Sequence, residues 1–95
     1  MTRDEILNRA NECVTDTRQK LYGPAIVNAT NIAALWTIWL QGRGLLDQGV
    51  ELGPHDAMIL MGLLKVARLI SDPSNQDSFV DCCGYVALAG EMLTK

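Results

Sequence analysis

Between Gly53-Pro54 and the connection Ser71-Asp-Pro-Ser-Asn75 runs Ala57-Met-Ile-Leu-Met-Gly-Leu-Leu64, apolar on every side of a helix. This is the longest apolar run in the chain and far too short to cross a bilayer. A helix that is apolar all round has to be covered by protein, so it belongs at the centre of a helical assembly. Ninety-five residues provide only one core to bury it in, so residues 1–95 form a single domain. The AVILMFWYC set makes up 48% of the chain and aromatics 5%. Alanine, leucine, isoleucine and methionine therefore carry the apolar load, which favours packed helices over a β-sandwich. The expected fold class is all-α: a compact four-helix domain with a C-terminal antiparallel helical hairpin, oligomeric.

The first helix opens on Thr2-Arg-Asp-Glu5, the spacing of a capping box. Ile6, Leu7, Ala10, Cys13 and Val14 follow at helical intervals. The polar stretch from Thr15 to Lys20 either ends this helix or extends it, and Tyr22-Gly23-Pro24 punctuates the chain. A second helix runs from about Pro24 to Gln41. Ile26, Ala29, Ala33, Trp36 and Leu40 line one side of it, and Ile32, Leu35 and Trp39 widen that side. A stripe so broad implies a central helix or a subunit contact. Gly42-Arg-Gly44 ends the helix, residues 45–53 form a loop, and Asp56 suits the positive first turn of the third helix. The fourth runs from about Gln76 to Leu93.

A short connection makes the last two helices an antiparallel hairpin, in which opposed positions sum to roughly 145. That register sets Lys65 opposite Asp81, Arg68 opposite Asp77, Gly62 near Gly84 and Asp56 near Glu91. Asp77 and Asp81 are thus expected in structural ion pairs, orienting helices more than stabilising them.

Eight basic against eleven acidic side chains give a net charge of −3, which does not supply the basic surface of a non-specific nucleic-acid binder. Three cysteines, two of them adjacent, form no disulfide framework and read as reduced thiols. With His55 the sole histidine, no metal site and no cofactor is expected. The charged N-terminus lacks an apolar signal core, so a cytoplasmic protein without a membrane anchor is expected.

Four groups resemble, in order and spacing, a small phage-encoded family of unknown function. They are Asp16-x-Arg18-x-x-x-Tyr22-Gly23, Ile32-Ala-x-Leu-Trp36, Leu64-Lys65-x-Ala67-Arg68, and Asp77 with Asp81-x-x-Gly84-Tyr85. The resemblance covers roughly residues 8–91 and implies phage origin, an all-helical fold and residence in an infected bacterial host. More distantly, the hairpin resembles the MazG-like all-α nucleoside triphosphate pyrophosphohydrolases, which hold magnesium with an E-x-x-E pair on one helix and an E-x-x-D pair on the next. Carboxylates at such spacings share a helix face and offer magnesium several hard oxygens. This sequence has no acidic pair at i, i+3; its i, i+4 pairs are Glu12/Asp16, Asp47/Glu51 and Asp77/Asp81.

Arg18, Lys20 and Tyr22 join basic groups suited to phosphates with a ring that can stack on a base. Asn28 and Asn31, early on the second helix, supply the polar amides that a nucleobase edge requires. Lys65 and Arg68 can approach the same site from the hairpin. The expected function is therefore non-catalytic binding and sequestration of a small phosphorylated nucleotide by a homo-oligomer, a dimer or tetramer. An ADP-ribose derivative or a cyclic nucleotide used as a bacterial immune signal is the candidate ligand. Two alternatives are a divergent pyrophosphohydrolase using Asp56, Asp77, Asp81 and Glu91, and a structural module that docks on a host protein.

Overall fold

The computed structural model describes residues 1–17 and 24–93, of Asp16 and Thr17 the backbone alone. Four α-helices follow in order: α1 (Arg3–Glu12), α2 (Ala25–Gly42), α3 (Pro54–Ser71) and α4 (Gln76–Leu93). The Thr2 hydroxyl accepts from the Glu5 amide at 3.2 Å, and the Thr2 amide donates to Glu5 Oε1 at 3.3 Å, closing the capping box of α1. At its far end α1 neither stops nor simply continues. It widens into a π-helical turn over Cys13–Thr17.

α2 ends on Gly44, whose φ of 74° lies in the region that favours glycine. The Leu45 amide then reaches back to Leu40 O at 2.9 Å and the Gly44 amide to Gln41 O at 3.0 Å. At the start of α3 the Gly53 amide donates to Asp56 Oδ2 at 2.8 Å. The Ser78 amide donates to Asn75 Oδ1 at 2.9 Å, fixing the first turn of α4.

Packing centres on the α3–α4 hairpin: α2 lies against α3, while α1 and its π turn lie against α4. The core joining α2, α3 and α4 is made of Ala29, Ala33, Ala57, Met58, Leu88 and Ala89, with Ile32, Trp36, Met61 and Tyr85 half-buried around it. Four of those six core residues are alanines. Small side chains let the helices approach closely, but they bury little apolar area.

The large aliphatic side chains are displaced outward, and the molecule is more extended than the compact domain expected. Its radius of gyration is 14.4 Å, against roughly 13 Å for a compact domain of about this length. Of the broad α2 stripe only one side is covered. Ala29 and Ala33 are buried, whereas Leu35 and Trp39 are each 67% exposed.

Gly62 and Gly84 are both close-approach positions, but they serve different interfaces. A Cβ on Gly62 would stand 3.2 Å from Val86 Cγ2, within the hairpin. A Cβ on Gly84 would stand 3.0 Å from Val14 Cγ1, on the side of α1. Gly62 thus meets Cys82 and Val86, two residues either side of position 84, while the Cβ direction of Gly84 faces Val14. The first helix takes the groove over Gly84, and nothing in the spacing of the hairpin alone required that.

Candidate functional site

Four charged residues form two ion pairs along the hairpin and its flank. Lys65 Nζ lies 2.9 Å from Asp81 Oδ2, with the lysine side chain only 13% exposed. Residues 65 and 81 sum to 146, close to the register that a short connection imposes. Asp77 is not held by Arg68. Its Oδ1 accepts from Arg9 Nη2 of α1 at 3.4 Å, and both side chains stand largely in solvent. α1 packs along α4 and presents Arg9 where the hairpin register alone would place Arg68. Arg68 is exposed, and no carboxylate among the described residues lies within ion-pair distance of it.

The acidic residues that a metal site would need are engaged separately. Asp56 caps Gly53 through Oδ2 and meets His55 Nε2 at 3.3 Å through Oδ1. Asp77 turns to α1, Asp81 to Lys65, and Glu91 lies exposed near the end of α4. Among the described residues no three His, Cys, Asp or Glu side chains gather closely enough to hold a metal ion.

Arg18, Lys20 and Tyr22 lie outside the described residues. Asn28 and Asn31 fall in the first two turns of α2, half-buried and exposed respectively. This helix begins differently from the other three. Its N-cap is Pro24, no side-chain hydrogen bond caps it, and its first turn holds no acidic residue. The positive end of its dipole is therefore uncompensated by any described side chain.

Two polar residues that sequence reasoning passed over hold the 45–53 loop. The Gln41 side-chain amide donates to Gln48 O and Val50 O, both at 2.9 Å. The Thr37 hydroxyl donates to Ala33 O at 2.7 Å and accepts from the Leu52 amide at 3.0 Å. The signal was present: two hydrogen-bonding residues four apart in a helix with no charged residue. A groove of about 490 Å³ lies between this loop and α2, lined by Thr30, Ala33, Thr37, Gln41, Glu51 and Leu52 among others. None of the expected ligand residues lines it, and with Glu51 in its wall it does not favour a phosphate.

Fold and site together define a small all-α domain in which Glu5 and Asp56 cap helix starts and the pairs Lys65–Asp81 and Arg9–Asp77 join helices. Residues 5–93 match the family model described as Domain of unknown function (DUF6378), and the chain belongs to that family. It is similar to the Gene 55 protein of Mycobacterium phage L5, with 37% identity over 87 residues. That match covers 92% of this chain and 51% of the relative, so the chain spans about half the length of the protein it matches. No solved structure matches it significantly. These comparisons support a phage family of unknown function. No helix of the described residues is long and apolar enough to cross a membrane.

Proposed function

We propose that this protein binds a small phosphorylated nucleotide and sequesters it without catalysis, as a homo-oligomer in the cytoplasm of an infected bacterium. The observation that carries the reading is the start of α2. It has no described side-chain cap and no acidic residue in its first turn, and the chain enters it directly from the segment of Arg18, Lys20 and Tyr22. Exposed amides at a positive helix end attract phosphate, the basic side chains add charge-assisted hydrogen bonds, and a tyrosine ring stacks on a base. Asn28 and Asn31 stand in the first two turns to read polar groups. Arg68, without a described carboxylate partner, supplies a further cation, while Lys65 is held in place by Asp81.

Small molecules released by heating protein incubated in infected-cell lysate identify the ligand by mass spectrometry. Titration calorimetry with that molecule then tests the site. Arg18→Ala and Tyr22→Ala are expected to abolish binding while leaving the helical circular dichroism intact. Parent-like affinity in both folded variants rules this site out.

A second reading rests on Leu35, Ile38 and Trp39, exposed together on α2. Such a face also suits a host protein, and a stoichiometric partner recovered with ligand-free protein favours that reading. The MazG-like alternative has less support, because Asp56, Asp77 and Asp81 have separate partners.

A further inference from the structure

The outward side of α3 carries Ile59, Leu63, Val66 and Ile70, which are 41%, 56%, 43% and 82% exposed. Their spacing of four, three and four residues is the repeat of a helix seam that packs knobs into holes of another helix. Leu60 and Leu64 flank the seam and are also exposed. The two cations of α3 stand clear of it: Lys65 is turned to Asp81 of α4, and Arg68 is two positions, about 200° around the helix, from both Val66 and Ile70. All six side chains are at least 40% exposed on this one helix, and a standard stable interface takes ~800 Å² from each partner.

We infer that this seam is the contact between two copies of the chain, with their α3 helices antiparallel about a two-fold axis between Leu63 and Val66. The seam reads Ile, Leu, Val, Ile in one direction and Ile, Val, Leu, Ile in the other. An antiparallel copy therefore sets Ile59 against Ile70 and Leu63 against Val66, a self-complementary match of the kind a two-fold interface demands. Two chains of net charge −3 repel one another, and an uncharged seam is where they meet without like charges in contact. The outer face of α2 is a poorer match to itself, because Thr30 and Asn31 interrupt it.

This inference rests on the oligomeric part of the proposed function and is independent of the ligand. Native mass spectrometry of the full chain at tens of micromolar should give an even multiple of the 10.4 kDa protomer. Leu63→Glu combined with Ile70→Glu should reduce it to the single protomer with unchanged helical circular dichroism, while Ile38→Glu on α2 leaves at least the dimer. A monomeric parent overturns both the oligomer and the seam. A parent oligomer that survives the folded double variant overturns the seam alone. If the double variant unfolds, a soluble paramagnetic relaxation agent applied to the parent decides. Protected Ile59 and Ile70 methyl groups support the seam, and methyl groups broadened as in an exposed side chain overturn it.

Discussion

The hydroxyl of Thr37, 6% exposed, donates to Ala33 O and accepts from the Leu52 amide, so one buried group satisfies a backbone donor fifteen residues away. Replacing it by valine keeps the volume but leaves that amide without its acceptor. Thr37→Val is expected to cost about 1–3 kcal/mol in urea denaturation. Amide exchange should quicken at Leu52 before the helices are affected. Burial, with the neighbouring Cys83 second, pushes the Cys82 thiol above its ordinary range. Cys13 is exposed. Alkylation with iodoacetamide near neutral pH, followed by peptide mass mapping, should therefore label Cys13 well before Cys82. Hydrogen bonds from the Thr2 amide and hydroxyl hold the Glu5 carboxyl below its ordinary value. A depressed carboxylate contributes stability above its unfolded value and loses it as pH falls through the folded one. The start of α1 should accordingly fray on acidification below the usual carboxylate range, which proton-exchange or carbonyl chemical shifts of residues 3–6 would register.

At the scale of elements, Gly84 is where α1 docks on α4, and a β-branched side chain there meets Val14. Gly84→Val is expected to destabilise the protein by about 1–3 kcal/mol through overpacking. The increase in proteolytic susceptibility should be confined first to residues of α1. Cleavage spread evenly over all four helices would mean that α1 is not separately anchored. The bounds of these helices were legible because their punctuation is local. Gly53-Pro54, Gly42-Arg-Gly44 and the capping box of Thr2 and Glu5 each act within four residues of their own position. The contact of Arg9 with Asp77 was not legible. Its partners are 68 residues apart, and no spacing along α1 records which helix it will lie against. The π turn over Cys13–Thr17 was equally silent, since a polar stretch after an apolar stripe is compatible with stopping, continuing or widening.

For the whole molecule, the all-α class followed from composition and periodicity, while of the ion pairs expected in the hairpin one formed and one did not. Lys65 meets Asp81 because a short connection fixes a register, but Arg68 lost its expected partner to a helix whose docking the register does not contain. The same dispersal of carboxylates leads to an expectation about chemistry. Incubation with a panel of nucleoside triphosphates and magnesium or manganese should release no pyrophosphate, because no described group of side chains gathers to generate a metal-bound nucleophile. Turnover that disappears in Asp77→Ala or Asp81→Ala would reinstate the hydrolase reading. The packing of α1 on α4 also bears on how the chain is made. Of the four helices α1 is synthesised before the others, yet its docking surface lies in residues 76–93, the last of the four. The hairpin can close as soon as α4 emerges, but until then α1 waits with Ala10 and Val14 uncovered. Docking of α1 therefore waits for α4, and a nascent chain stalled before residue 76 leaves the ribosome should carry α1 loose.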